Sequence, residues 1–350
     1  MRVPPELRCL PHGEPFTTNG GPADVAAVER AASLTCPAGC TVPVVRGIPR
    51  FVPSDGYAAA FGWQWTRFRR SQLDSHTGTT ISRDRLTRCL GGSLDVVRGA
   101  TVLEAGCGAG RFTEILLEAG ARVVAADLSA AVDANYANCG HARGYFVCQA
   151  DIRRMPVARR SFDVVLCLGV VQHTPHPEET LAALAGYLKP GGLLVIDHYS
   201  RDYPLTAPRR VLRDLLLRLP PERAHRVAVG TARALLPVHR ALWRRRRGFG
   251  RLRAYLRRLS PVVDYYESYP QLGRELLSEW AVLDTHDTLT DRYKHLRGPD
   301  EIRAALVQLG LEDVEVALGG NGVEARARGA RAGASIAATK AATTAAVTVR

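Results

Sequence analysis

From Thr101 to Ser200 the chain alternates short apolar runs with helix-compatible stretches, and no other feature of the sequence restricts the fold as tightly. TVLEAG, RVVAADLS, YFVCQAD, FDVVLCLGV and LLVIDHYS read as strands, separated by RFTEILLEAG, AAVDANYANC and HPEETLAALAGYLKPGG. Alternation of this kind builds a parallel sheet with helices on both faces, and strands covered on both faces are near-continuously apolar. The pattern stops after Ser200 and resumes with PDEIRAALVQLG, LEDVEVALGG and NGVEARARG. Residues 101–200 and 299–330 therefore read as one α/β core, with 201–298 as an insertion.

A chain of 350 residues exceeds what one hydrophobic core of this kind needs, so appendages are expected. Residues 1–53 are rich in Pro and Gly and end in VPVVRGIPRFVP, the pattern of a small β-rich unit. Residues 54–100 begin with the aromatic run Tyr57, Phe61, Trp63, Trp65 and Phe68 and read as a helical cap. The final segment, 331–350, is mostly Ala, Thr and Gly without periodicity and is expected to lack fixed structure. The first residues lack the apolar stretch of a secretory signal, and no apolar run approaches the roughly 20 residues of a membrane span, so a cytoplasmic protein is expected. Cys148 and Cys167 fall inside expected buried strands, which suits reduced thiols better than a disulfide framework.

The segment Val102-Leu-Glu104-Ala-Gly106-Cys-Gly108-Ala-Gly110-Arg111-Phe112 runs from a strand through a glycine-rich turn into a helix. Glycines admit positive φ and let a ligand approach the backbone, while the helix start offers unpaired N–H groups. A nucleoside-type ligand fits such a turn. A dinucleotide fingerprint requires a glycine at 111, where this chain has Arg, so NAD and FAD are disfavoured. Asp127 closes the second strand about 20 residues after the first glycine, where a carboxylate can accept both hydrogens of a ribose diol. Asp151 closes the third strand.

Glu104, the three glycines, Asp127 and Asp151, with SFDVVLCLGVVQH and LKPGGLLVIDHY beyond them, resemble the class I S-adenosylmethionine-dependent methyltransferases. The resemblance spans about 101–200 and 299–328. It implies a Rossmann-like, doubly wound, seven-stranded sheet whose last strand, here NGVEARARG, is antiparallel. It also implies that Glu104, Gly106, Gly108 and Gly110 hold the methionine end of S-adenosylmethionine. Asp127 would take the ribose hydroxyls, Asp151 with Ile152 the adenine, and Leu128 also belongs to the implied cofactor-binding set. YAAAFGWQWTRFRRSQLDS, SPVVDYY, LDTHDTLTDRY and GGNGVEARARG are further similar to a bacterial subgroup with a zinc-ribbon-like N-terminus, many of whose members serve biosynthesis.

Methyl transfer from a sulfonium is an in-line displacement in which the protein aligns donor and acceptor and excludes water. An acceptor hydroxyl, amine or acidic carbon also needs a base. His173, after the fourth strand, stands where that base is sought, and a capping or packing role beside the helix that begins near Pro177 is the alternative. Asp197, His198, Tyr199, Asp284, His286 and Asp287 are further candidates for the acceptor pocket. Trp63 and Trp65 either close its rim or pack the cap.

Cys9-x-x-His12 and Cys36-x-x-x-Cys40 supply four ligands in two close pairs, the count and chemistry of a structural zinc site. The subgroup typically carries two C-x-x-C pairs, so a metal-free ribbon is the competing expectation. The formal charge of +13 is concentrated, since residues 201–260 contain 17 Arg against Asp202, Asp214 and Glu222. Val211, Leu212, Leu215, Leu216 and Leu219 share one helical face, and Leu252, Tyr255, Leu256 and Leu259 another. Such an insertion can be a solvated lid, a clamp for an anionic small substrate, an RNA-binding face or a peripheral contact for an anionic membrane. A small-molecule acceptor is favoured because the insertion can cover the acceptor pocket, with RNA second and a non-catalytic S-adenosylmethionine-binding protein third. The sequence leaves the oligomeric state open.

Overall fold

The computed structural model describes residues 7–18, 21, 22, 28, 30–53 and 56–331. The Ala/Thr/Gly-rich segment 332–350 lies outside the described residues. The chain begins with a small sheet of order β2-β1-β3-β4-β5, formed by β1 (Thr17–Thr18), β2 (Gly21–Pro22), β3 (Ser33–Thr35), β4 (Thr41–Val45) and β5 (Ile48–Pro49). Two longer helices follow, α1 (Ala59–Arg67) and α2 (Ile81–Cys89), with a single helical turn, Asp74–Thr77, between them.

The core then alternates β6 (Thr101–Ala105), α3 (Thr113–Glu118), β7 (Arg122–Asp127), α4 (Ala131–Cys139), β8 (Tyr145–Gln149), β9 (Phe162–Cys167), α5 (Pro177–Tyr187) and β10 (Leu188–His198). After the insertion, which holds α6 (Ala207–Leu216), α7 (Pro221–Arg244), α8 (Arg246–Leu259) and α9 (Arg274–Thr290), come α10 (Pro299–Gln308), β11 (Glu312–Gly319) and β12 (Gly322–Arg328). The seven strands pair in the order β11-β12-β10-β9-β6-β7-β8, all parallel except β12, which runs antiparallel to both β10 and β11. This is the seven-stranded sheet with a reversed last strand that the sequence led us to expect. Every residue of β6 and β8 is buried, as the unbroken apolar runs require. Chain order reverses between β6 and β9, so a crevice opens at the carboxyl ends of these strands.

The N-terminal unit covers the exposed edge of this sheet. The Phe51 amide donates to the Gln149 carbonyl on β8 at 2.8 Å, and the Arg8 amide donates to Pro156 at 2.8 Å. Leu7, Phe16 and Leu34 share one apolar cluster with Phe146, Met155 and Val157 of the core. An edge strand that would otherwise present unpaired backbone groups is thereby closed.

The insertion is helical: α6 (Ala207–Leu216), α7 (Pro221–Arg244), α8 (Arg246–Leu259, broken at Phe249) and α9 (Arg274–Thr290). Helix α9 is buried along most of its length and packs against α1, α6 and α7. The apolar face read from α6 divides. Leu216 is buried and Leu212 half-buried, while Val211, Leu215 and Leu219 are exposed. Arg209 takes the interior place instead, donating to the carbonyls of Pro204, Pro261 and Val262. A guanidinium fork can serve three carbonyls that a leucine would leave unpaired, so hydrogen-bond satisfaction outranks the hydrophobic pattern here.

Candidate active site

A cavity of about 950 Å³ lies over the carboxyl ends of β6, β7 and β9, roofed by α1 and the insertion. At its sheet end the wall consists of Gly106, Cys107, Gly108 and Ala109, then Asp127 and Leu128 from the tip of β7, and Ile152 after β8. Gly106 has φ +86°, and a Cβ there would stand 2.2 Å from a Val170 methyl, so only glycine can take this position. The Asp127 carboxylate accepts the Gly108 amide at 3.0 Å and both the Ser129 amide and hydroxyl, at 2.9 and 2.7 Å. The turn and the carboxylate thus hold each other in place. The Trp65 indole covers the turn at Gly108.

Three of the anticipated nucleotide residues stand off the wall. Glu104 is buried beneath the turn and accepts the Thr113 hydroxyl at 2.6 Å. Burial, and secondarily the Asp127 charge, push its carboxyl up to about 8. Gly110, with φ +99°, is packed against Cys139 and Asn135. Asp151 turns its carboxylate to Arg153, accepting both that residue's amide and its guanidinium. The capping role common for an Asp at a helix start is what the geometry gives it.

At the opposite end His173 lines the cavity with Tyr199, Tyr203, Asp284 and Asp287. The imidazole Nδ1 lies 3.1 Å from the Tyr293 carbonyl and 3.1 Å from Asp291 Oδ2. The Tyr293 carbonyl assigns the hydrogen to Nδ1 and leaves Nε2 as an acceptor. Edge-on contacts with Phe61 and Tyr199 fix the ring. Asp291 is in turn held by Arg213 and Lys294, at 2.9 and 2.6 Å. Asp284 accepts the Tyr265 hydroxyl, and burial, then the neighbouring Asp287, pushes it up to about 7.

The remaining pocket candidates lie elsewhere. Asp197 is buried in an ion pair with Arg85 and accepts the Gly169 amide. His198 faces the Tyr199 carbonyl, and burial pushes it down to about 4. His286 sits with His225 under Trp63, whose ring stacks on His225 at 4.6 Å. Trp63 therefore packs the cap while Trp65 reaches the cavity.

Sequence reasoning passed over Arg85, Arg111, Tyr265 and Trp280, which complete the walls. Arg111 is bonded to Ser82 and Gln72 and stacks on Phe112 and Trp280, with no carboxylate in ion-pair range among the described residues. Burial and Arg85 push it down to about 10, so it stays cationic at neutral pH. Asp291 was passed over as well, although it recurs at helical spacing with Asp284 and Asp287, which the sequence did single out.

In the N-terminal unit the ligand atoms of Cys9, His12, Cys36 and Cys40 all lie within 4.8 Å of one another. The three Sγ–Nδ1 separations are 3.6, 3.6 and 3.5 Å. A tetrahedral ion with metal–sulfur bonds of about 2.3 Å and a metal–nitrogen bond of about 2.0 Å places sulfur and nitrogen about 3.5 Å apart, so the donor set fits zinc. Four protein ligands leave no open position for catalysis. All eight cysteines are free thiols.

Residues 103–196 match a family model described as a methyltransferase domain. The chain is 35% identical over 136 residues to a ubiquinone biosynthesis O-methyltransferase of Bradyrhizobium sp. (strain ORS 278), covering 38% of this chain and 53% of that protein. It is 31% identical over 110 residues to the protein of the same description from Coxiella burnetii, covering 31% and 47%. The chain thus spans about half the length of the curated relatives it matches. Among solved structures it resembles magnesium protoporphyrin IX methyltransferase from Synechocystis PCC 6803 with bound SAM, at 13% identity and a TM-score of 0.36, covering 72% and 78%. It also resembles a structure described as a possible exported protein from Bordetella parapertussis, at 17% identity and a TM-score of 0.40, covering 71% and 68%. Residues 103–196 thus match a methyltransferase domain, and they hold the glycine turn at the carboxyl end of β6 and the parallel strands β7, β8 and β9 of the seven-stranded sheet.

Proposed function

We propose that the protein transfers a methyl group from S-adenosylmethionine to a nucleophilic atom of a small-molecule acceptor. One observation carries this reading: a single cavity joins the glycine turn and Asp127 at one end to His173 at the other. The sheet end suits a nucleoside, because Asp127 offers a carboxylate to a diol and Leu128 and Ile152 offer apolar contact to a flat base. The bare backbone of Gly106 and Gly108 admits the amino-acid end, with Glu104 behind it. When bound, the cofactor supplies an electrophilic methyl carbon whose bond to sulfur breaks as the bond to the acceptor forms.

The chain's own residues orient and deprotonate. His173, its Nδ1–H held by the Tyr293 carbonyl with Asp291 beside it, takes the acceptor proton on Nε2. Trp65 and Trp280 wall the chamber against water. Arg111 favours a ligand with an anionic group. We further propose that Cys9, His12, Cys36 and Cys40 bind a structural zinc ion.

The test is incubation of the full chain with methyl-labelled donor and a whole extract of its host, containing both metabolites and RNA. Label is expected in one low-molecular-weight product, and His173→Gln is expected to slow its formation about 10²–10⁴-fold with donor affinity unchanged. Label confined to RNA, or turnover unaffected in His173→Gln, would overturn the assignment.

A further inference from the structure

Helices α6 and α8 lie side by side at the entrance of the chamber. Thr206 and Arg209 line it from one side, and Ala254 and Arg257 from the other. Ala254 and Arg257 are also exposed, so the chamber opens here. Arg209, bonded to the Pro261 and Val262 carbonyls just past α8, fixes the two helices together.

Each helix presents an apolar row outward. Val211 and Leu215 on α6 are 62% and 53% exposed, and Tyr255 and Leu259 on α8 are 61% and 51% exposed. Nine of the fifteen exposed large hydrophobic residues in the described chain fall between 211 and 259. Beside the rows stand exposed guanidinium groups, Arg210, Arg218, Arg251 and the run Arg244–Arg247, which ends at the exposed Phe249. Apolar side chains left more than half exposed, set among cations, match helices that lie in the plane of a membrane interface. The 17 Arg against three acidic residues in 201–260 select an anionic surface. Among the described residues no helix is long and apolar enough to cross a membrane, so the contact is peripheral.

We propose that α6 and α8 dock this protein on an anionic phospholipid bilayer, with the mouth of the chamber turned to the lipid. RNA would engage the arginines and leave the apolar rows bare. A second copy would bring two strongly cationic faces together. Docking requires no methyl transfer, so it stands or falls apart from the catalytic reading.

The experiment is co-sedimentation of the full chain with vesicles of phosphatidylglycerol and phosphatidylcholine, against phosphatidylcholine alone. Binding is expected only where phosphatidylglycerol is present. It should fall at least roughly tenfold in Leu215→Glu/Leu259→Glu, whose positions are exposed, and also in Arg245→Gln/Arg247→Gln. Tyr255→Ser/Val211→Ser provides a milder pair should the glutamates unfold the protein. Absence of phosphatidylglycerol-dependent sedimentation would overturn the proposal. So would vesicle binding at full strength in both apolar pairs, or a dimer in light scattering that those pairs dissolve.

Discussion

Replacing Asp127 by Asn removes a charge while keeping the side chain's size. In the native protein this carboxylate already accepts three donors, the Gly108 amide and the amide and hydroxyl of Ser129. The residue lines the cavity, where a ribose diol would donate two hydroxyls to the carboxylate. Hydrogen bonds to a charged group are worth about 1.5–3 kcal/mol each. Losing both amounts to about 3–6 kcal/mol, roughly a 10²–10⁴-fold weaker dissociation constant at 1.4 kcal/mol per decade. Asn keeps a carbonyl for the turn and is therefore preferable to Ala. Isothermal calorimetry with S-adenosylhomocysteine reads the affinity, and a thermal melt verifies that the turn survives. An affinity within about threefold of wild type in a folded Asp127→Asn protein would refute the assignment of this carboxylate to the ribose.

Glu104 is raised to about 8, so in the folded protein it stays neutral at pH values where the unfolded chain's carboxyl, with an ordinary value of 4.5, has ionised. Its contribution is full below pH 4.5 and is lost as pH rises toward 8, about 3 kcal/mol by pH 7. Urea unfolding should therefore show Glu104→Gln gaining on wild type between pH 5 and pH 7.5, and parallel pH curves would contradict this. Arg85 and Asp197 form a buried pair, so Asp197→Asn should cost about 3–5 kcal/mol in the same assay, because a buried guanidinium is left without its counter-charge. A loss below about 1 kcal/mol would mean that water reaches the pair. Purified protein should carry about one zinc per chain, and Cys36→Ser should release it and lower the melting temperature, because the N-terminal unit covers the edge of β8. Metal-free native protein whose melting temperature Cys36→Ser leaves unchanged would contradict a structural ion.

The sheet was legible because its strands are unbroken apolar runs between glycine and proline signals, a pattern that local sequence alone sets. The turn at 106–110 was legible for the same reason, since its glycines answer to backbone geometry rather than to distant partners. The acceptor end was not. Arg111 reads as a helix-start residue, and only the folding of Trp280 and Phe112 against it makes it a chamber wall. Asp151 sits at a strand tip like Asp127, yet Arg153 two residues on captures its carboxylate. That choice depends on rotamers, which spacing does not encode. Amphipathic periodicity marked α6 and α8 as helices but not which side turns inward, because the carbonyls that draw Arg209 inside come from Pro204 and from Pro261 and Val262.

The central claim is that the cavity between the glycine turn and His173 is a methyl-transfer chamber. A crystal of the full chain grown with S-adenosylhomocysteine tests it most directly. Density for the nucleoside is predicted against Gly106–Ala109, with its ribose on Asp127 and its sulfur pointing along the cavity toward His173. An empty crevice at saturating ligand, or the nucleoside bound elsewhere on the protein, would contradict the account.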